Sequence, residues 1–178
     1  MENILDKHFV IEQIKEAAIA AFKSVRQQEP ELKFCGYGLY SDTDAVTVCP
    51  AQNSCSHLNK MVSDDPDDKE YYRWSTGEWS HESKGVEFFS EISTYLRSEA
   101  KLIDSINEYE QFKLDVYQSC VLALKSLKEE GFFSDMESNG VVVFTVSDSI
   151  NSRESEWIEL LNNNEASQEF NEWIKTLQ

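Results

Sequence analysis

The sequence is poor in basic residues. Among its 178 residues, 16 lysines and arginines stand against 33 aspartates and glutamates, which gives a formal net charge of −17. The affinity of nucleic-acid-binding proteins comes mainly from lysine and arginine contacts with phosphates, so this balance argues against nucleic-acid binding. Anionic membrane surfaces also attract basic segments. We therefore predict that the protein binds neither nucleic acid nor membranes.

Long apolar runs are absent as well. No stretch approaches the roughly 20 apolar residues that a membrane-spanning helix needs, and the first 18 residues mix charged with apolar positions, unlike a secretory signal. We therefore expect a cytoplasmic protein. Its four cysteines are then predicted to be reduced thiols and not disulfides. They are Cys35, Cys49, Cys55 and Cys120.

Histidine is scarce, with three residues in the chain. Glu78 and His81 have the spacing of a carboxylate-bridged metal site on a helix, but such a site needs a second helix with the same pattern. Cys49, Cys55 and His57 lack the usual zinc-ligand spacing and a fourth ligand. No glycine-rich phosphate loop is present. We therefore predict no metal, no other cofactor and no catalytic residue.

The apolar pattern predicts one α+β domain over residues 1–178. Helical periodicity indicates one helix, then a hairpin at 33–50, two helices, a buried strand at 140–146 and two final helices. A polar loop is predicted at about 51–70. We therefore expect a small, mostly antiparallel sheet, made of the hairpin and the buried strand and packed by about five helices.

The alternation of apolar residues in the hairpin predicts its register. If the apolar faces coincide, Leu39 lies opposite Val46 and Tyr37 lies opposite Val48. Proline cannot donate to a central strand pair, so we expect the second strand to end at Pro50.

The stretch YYRWSTGEWSHES (Tyr71–Ser83) holds two closely spaced tryptophans. Ser75 and Glu78 have the spacing of a capping box, in which each side chain accepts from a backbone amide at the start of a helix. Trp74 and Trp79 then have the spacing of a hydrophobic staple. We predict a helix beginning after Ser75, with these four residues as its structural cap.

The acidic residues are unevenly distributed. Residues 129–172 hold eleven acids and one base, and residues 64–70 hold five acids and one base. A solvated acidic surface that maintains solubility accounts for such clusters. A negative field also accelerates encounter with a basic protein. If the field serves a partner, the predicted contact residues are Asp64, Asp65, Asp67, Asp68, Glu154, Glu156 and Glu159.

Several segments resemble a known family. The most specific are FCGYGLYSDTDAVTVCPAQN (Phe34–Asn53) and YRWSTGEWSHE (Tyr72–Glu82), and GFF (Gly131–Phe133) and VVVFTVSDS (141–149) follow them. Over roughly residues 11–148 the chain is similar to the DUF4303 family, small acidic bacterial proteins that form a domain of unknown function.

The resemblance implies no established activity. The family pattern has a proline where this chain has Thr76, a position that suits the start of a helix. Small acidic bacterial α+β proteins of this kind are often similar to immunity proteins of polymorphic toxin systems. We therefore expect a protein-binding module, an immunity protein that neutralises a basic, nuclease-type toxin domain by occluding it. The sequence leaves the oligomeric state open.

A small enzyme or ligand-binding protein is the alternative. Its pocket would lie between the 33–50 hairpin and the helix predicted at 74–82, where polar and aromatic side chains could converge. The residues expected to line that pocket are Tyr37, Tyr40, Glu78 and His81.

Overall fold

The computed structural model of the protein describes residues 5–177. In this part of the chain seven α-helices surround one four-stranded sheet, which confirms the α+β class. None of these helices is long and apolar enough to cross a membrane. The helices are α1 (Lys7–Gln28), α2 (Cys55–Asp64), α3 (Lys69–Trp74), α4 (Ser90–Ala100), α5 (Ile106–Glu129), α6 (Glu154–Leu161) and α7 (Asn164–Ile174). The strands are β1 (Phe34–Ser41), β2 (Val48–Ser54), β3 (His81–Glu82) and β4 (Val141–Val146).

The sheet has the strand order β3-β2-β1-β4. β1 lies between an antiparallel neighbour, β2, and a parallel neighbour, β4. β3 adds two residues antiparallel to the outer edge of β2. The sheet is mostly antiparallel, as predicted. Its one parallel pair requires the chain to return to the starting end of β1, and the helices between β2 and β4 make that crossover.

β4 is an edge strand, and within residues 5–177 no further strand pairs with its outer side. The side chain of Asn162 bonds to that side instead. The side-chain amide of Asn162, which follows α6, accepts from the Val142 amide at 2.9 Å and donates to the Val142 carbonyl at 2.7 Å. Buried backbone groups need such partners. Asn162 therefore takes the place of a neighbouring strand at this point of the edge.

The predicted hairpin register is wrong. Leu39 pairs with Pro50 and not with Val46. The cause is the connection between the strands, because the Asp42 carboxylate accepts from the Val46 amide at 3.0 Å and holds residues 42–47 as a six-residue loop. Apolar alternation alone predicts a tighter turn and so a shorter hairpin.

The second strand also continues through Pro50. The Pro50 carbonyl accepts from the Ser83 amide at 3.0 Å, and the nitrogen and carbonyl of one strand residue face the same side. The proline nitrogen therefore faces the short β3 edge and not β1, where a donor would be needed. In the same register as the Leu39–Pro50 pair, Tyr37 pairs with Gln52 and not with Val48.

The segment predicted as a polar loop, 51–70, is largely regular structure. It completes β2, forms α2 and a 3-10 turn at Pro66–Asp68, and begins α3. The Ser54 oxygen caps α2 by accepting from the His57 amide at 3.3 Å. No residue of α2 is buried. Leu58, Met61 and Val62 lie at helical spacing and are half-buried, but they span little more than one turn, which is too short a period to identify a helix from the sequence.

The predicted capping box is wrong, because no α-helix begins after Ser75. Trp74 ends α3, and Thr76–Glu78 form a single 3-10 turn whose backbone amides receive no hydrogen bond from the Ser75 hydroxyl. The Glu78 carboxylate instead accepts from the Tyr71 hydroxyl at 2.8 Å. Trp74 and Trp79 are both buried, 1% and 3% exposed. The turn thus brings two indoles into the core.

Trp79 packs against two glycines of β1. A Cβ built on Gly36 would lie 3.0 Å from the indole, and one built on Gly38 would lie 3.2 Å from it. The same Gly38 Cβ would lie 2.9 Å from the Val143 carbonyl oxygen. The glycines therefore give the indole room to approach the sheet backbone.

Each face of the sheet carries an apolar core. α1 and α5 cover the first face, where Tyr37, Leu39 and Phe144 are buried. Trp74, Trp79 and the apolar side of α7 cover the second face. The tryptophan segment, residues 71–83, thus belongs to the core of the second face.

Replacing Gly38 by alanine should destabilise the protein. The new methyl group would meet the Val143 carbonyl, which is backbone and cannot rotate away. We expect the free energy of unfolding, measured by urea titration, to fall by about 1 to 3 kcal/mol, as in other overpacked cores. Gly77→Ala is the matched control, because a Cβ there meets no atom within 4 Å. Equal losses in the two variants would contradict the packing explanation.

Candidate functional site

A cleft of about 360 Å³ opens where β1 and β4 end. We call it the aromatic cleft, because five aromatic side chains line it. Three of them form one packed group, with Phe170 edge-on to Trp74 at 5.2 Å and to Trp173 at 5.8 Å between ring centroids. The five aromatic residues are Tyr40, Tyr71, Trp74, Phe170 and Trp173.

Glu154, the first residue of α6, also lines the aromatic cleft and is only 6% exposed. Its Oε1 accepts from the Asn151 amide at 3.2 Å. Burial raises the pKa of the Glu154 carboxyl to about 7, and hydrogen bonding to the backbone at Asn151 and Val146 opposes the rise. Glu154, predicted as an exposed contact residue, is instead buried, because the first turn of α6 directs it inward. A buried carboxyl with a raised pKa in a cleft is a candidate functional group.

Hydroxyl groups supply most of the other polar atoms of the aromatic cleft. The Tyr40 hydroxyl donates to the Glu82 carboxylate and lies 2.6 Å from the Ser83 hydroxyl. Burial and the bond to Glu82 raise the pKa of Tyr40. The Thr76 and Thr145 hydroxyls lie 3.2 Å apart across the turn that follows α3. Within residues 5–177, no lysine or arginine lines this cleft.

A second cleft, of about 510 Å³, adjoins the first and shares Tyr71, Trp173 and Leu177 with it. We call it the acidic cleft, because carboxylates dominate its lining. As far as the described chain extends, no basic side chain lines it. Its carboxylates are Asp67, Asp68, Glu70, Glu169 and Glu172.

Two of these carboxylates have basic neighbours. Lys69 lies 3.3 Å from Glu70, and Arg73 lies 3.0 Å from Glu169. Glu169 also accepts from the Trp74 indole nitrogen at 3.0 Å, so it helps to hold α7 against α3. The other three have no ion pair with any residue between 5 and 177. They are Asp67, Asp68 and Glu172.

The other predicted contact residues have different surroundings. Asp64 is exposed and Asp65 half-buried at the end of α2, beside the acidic cleft but not in its lining. Glu156 accepts two hydrogen bonds from the Arg153 guanidinium, each 3.0 Å long, which compensate its charge. Glu159 accepts from the side-chain amide of Asn171 at 3.0 Å. Only Asp67 and Asp68 of the predicted set therefore line the acidic cleft.

Of the four residues expected in a pocket between the hairpin and the tryptophan segment, only Tyr40 lines the aromatic cleft. Tyr37 is fully buried on the other face of the sheet and accepts from Arg26 Nε at 2.9 Å. His81 is 5% exposed, with its Nε2 2.9 Å from a Glu29 oxygen. The aromatic cleft lies beside β1 and the residues that follow α3.

The four cysteines are free thiols. Burial raises the pKa of Cys35 to about 12 and also raises that of Cys120. Both thiols are therefore protonated at neutral pH and are weak nucleophiles. Among the described residues, no group of three or more histidines, cysteines, aspartates or glutamates is arranged to hold a metal ion.

Sequence reasoning missed the contribution of α7. Glu169 and Glu172 are three residues apart, and Trp173 follows them, so a helix brings all three to one side. The helix itself is predicted from its apolar positions, and its acidic side could have been recognised from the same spacing. Its position opposite Asp67 and Asp68 depends on tertiary packing.

Replacing Glu154 by glutamine should change how stability depends on pH. The pKa of this carboxyl is raised from 4.5 in the unfolded chain to about 7, so its contribution to stability is fully present below pH 4.5 and is lost as the pH rises through 7. We expect the free energy of unfolding of the variant, relative to the natural protein, to grow by about 3 kcal/mol between pH 4.5 and 8.

Urea titrations at several pH values measure this difference. Glu156→Gln is the control on the same helix, since Arg153 lowers the pKa of the exposed Glu156 carboxyl. That variant should show no relative gain as the pH rises. A difference between Glu154→Gln and the natural protein that stays constant with pH would contradict the raised pKa.

The comparisons with known proteins bear on the same segments. The family model of DUF4303, a domain of unknown function, matches residues 14–163, a range that includes the hairpin, the tryptophan segment, β4 and Glu154 and ends before α7. No curated protein and no solved structure matches the chain. Because the match covers most of the 178 residues, the chain belongs to the DUF4303 family, as the hairpin and tryptophan sequences indicated.

Proposed function

We propose that the protein binds a basic protein partner through the acidic cleft and acts as an immunity protein that occludes a toxin domain. The observation that supports this most directly is the lining of the cleft. Five carboxylates face a concave surface, and no basic residue of the described chain lines it. A concave acidic surface concentrates the negative potential and attracts cationic groups.

The charges of the cleft suit association with a protein. Asp67, Asp68 and Glu172 have no basic partner within residues 5–177, so a bound lysine or arginine would supply the missing counter-charge. Steering by such a field accelerates association and makes it sensitive to salt. A fast association is useful to a protein that must capture a toxin before the toxin reaches its target.

The same cleft offers apolar anchors. Tyr71 is 39% exposed, and Leu177 is 49% exposed at its rim. Tyrosine and tryptophan dominate the energetics of many protein interfaces, whereas exposed charges contribute mainly to the rate of association. The cleft combines both elements, and this combination favours a protein partner over a simple inorganic cation.

Neutralising the three unpaired acids should abolish partner binding. We expect a tagged protein, expressed in its native host, to copurify with a basic protein, and Asp67→Asn/Asp68→Asn/Glu172→Gln to lose it. The isolated complex should weaken steeply between about 50 and 500 mM salt. Calorimetry with the purified partner measures the affinity.

The matched control removes three charges from the other side of the molecule. Glu12, Glu87 and Glu91 are exposed on α1, on the 3-10 turn before α4 and on α4. The triple glutamine variant at these positions should bind normally. Equal loss in both variants, or a partner without basic character, would refute the proposal. A partner that does not inhibit growth when expressed alone would refute the immunity role.

The cleft variant should also be more heat-stable than the natural protein. Unpaired like charges repel one another in the folded state, and their removal relieves that repulsion. We expect Asp67→Asn/Asp68→Asn/Glu172→Gln to raise the Tm by roughly 1 to 3 °C at low salt and by less at high salt. Calorimetric scans measure both. An unchanged or lower Tm at low salt would indicate that these carboxylates do not repel one another.

A further inference from the structure

We infer that the basic partner inserts one arginine side chain into the aromatic cleft, where the Glu154 carboxylate binds the guanidinium. The inference rests on the proposed function, since it takes the occupant of the acidic cleft to be a basic protein. The two clefts adjoin each other, because Tyr71, Trp173 and Leu177 line both of them. A basic segment in the acidic cleft therefore lies next to the opening of the aromatic cleft.

The lining of the aromatic cleft suits a guanidinium group. Arginine stacks on aromatic rings and bonds carboxylates through two parallel N–H groups. The cleft offers the ring of Trp173 and the carboxyl of Glu154 in one concave space. Lysine is a compact and more strongly hydrated charge, which fits an aromatic wall less well.

The polar atoms of the cleft argue against anionic and purely apolar ligands. Its carboxyl groups belong to Glu82, Asp148 and Glu154, and no basic residue of the described chain accompanies them. A phosphate or carboxylate ligand would be repelled. A purely apolar ligand would leave the buried carboxyl without a counter-charge, which costs free energy when the carboxyl is ionised. The volume of about 360 Å³ lies at the lower end of the range of small-ligand pockets and has room for one arginine side chain.

Binding should also be linked to a proton. Burial is the main cause that raises the pKa of Glu154, and no charged side chain is among the causes. A cation beside the carboxylate would lower that pKa, so the affinity should rise with pH between 6 and 8. The ionisable residues that line the aromatic cleft with Glu154 are Tyr40, Tyr71, Glu82 and Asp148. Arg153 and Glu156 flank it in the chain. Glu110, Lys113 and Tyr117 of α5 line a neighbouring cavity together with Val146 and Asn151.

The probe that tests the inference is N-acetyl-arginine methylamide, titrated into the full chain by NMR and calorimetry. We expect millimolar binding, stronger at pH 8 than at pH 6, and no binding of the citrulline analogue, which has the same shape without the charge. N-acetyl-lysine methylamide should bind more weakly. Glu154→Gln should weaken arginine binding by roughly tenfold or more and remove the pH dependence. Glu156→Gln, on the same helix, should bind normally.

A second variant keeps the test independent of the Glu154 environment. Ile150 lines the aromatic cleft and is 46% exposed, so Ile150→Trp should fill the opening without disturbing the core. This variant should lose probe binding and weaken the partner's affinity by at least tenfold. The absence of probe binding at about 50 mM, or equal binding of the citrulline or lysine analogue, would overturn the inference.

Two further results separate the two proposals. If the probe binds but Ile150→Trp leaves the partner's affinity unchanged, the cleft takes a free small cation and the assignment to the partner is wrong. If the partner is lost in the acidic-cleft variant while the probe fails to bind the natural chain, the proposed function stands and the arginine pocket does not.

Discussion

The packing of Trp79 against Gly36 and Gly38 holds the second face of the molecule together. Because the indole lies on the backbone of the central strand, the chain that precedes it is drawn onto the sheet. Trp74 is thereby placed against Phe170 of α7. Both clefts depend on this arrangement, since α3 and α7 form their walls. The glycines thus help to fix the positions of α3 and α7, which carry polar groups of both clefts.

The acidic residues divide into two physical classes. Asp67 and Asp68 are exposed, so water and salt screen their charges, and they act at long range through the summed field. Glu154 is buried, and its surroundings favour the neutral acid. A cation could meet both classes in turn, first the screened charges outside and then the single buried carboxyl. The net charge alone does not distinguish these roles.

Sequence reasoning predicted the fold class and the long helices, because an apolar period as long as that of α5 is a strong signal. It predicted the family from the hairpin and tryptophan segments. It failed where tertiary contacts override local pattern. Ser75 and Glu78 have capping-box spacing, yet the core selects a 3-10 turn there to bury Trp79. α2 was missed because its apolar residues, Leu58, Met61 and Val62, span little more than one turn and none of them is fully buried. Glu154 and the exposed Glu156 lie two residues apart in the same acidic stretch, so the sequence does not distinguish them. Only the packing of α6 buries the one and exposes the other.

The hydrogen bonds of the Asn162 side chain at the edge of β4 bear on aggregation at high protein concentration. An exposed strand edge is a template on which other chains can add strands, and apolar edges of this kind promote aggregation. Asn162 bonds to the backbone of Val142 at this edge, and α6, which precedes Asn162, packs against β4. Asn162 and α6 therefore cover part of the edge of this apolar strand, which reduces the surface on which another chain could add a strand.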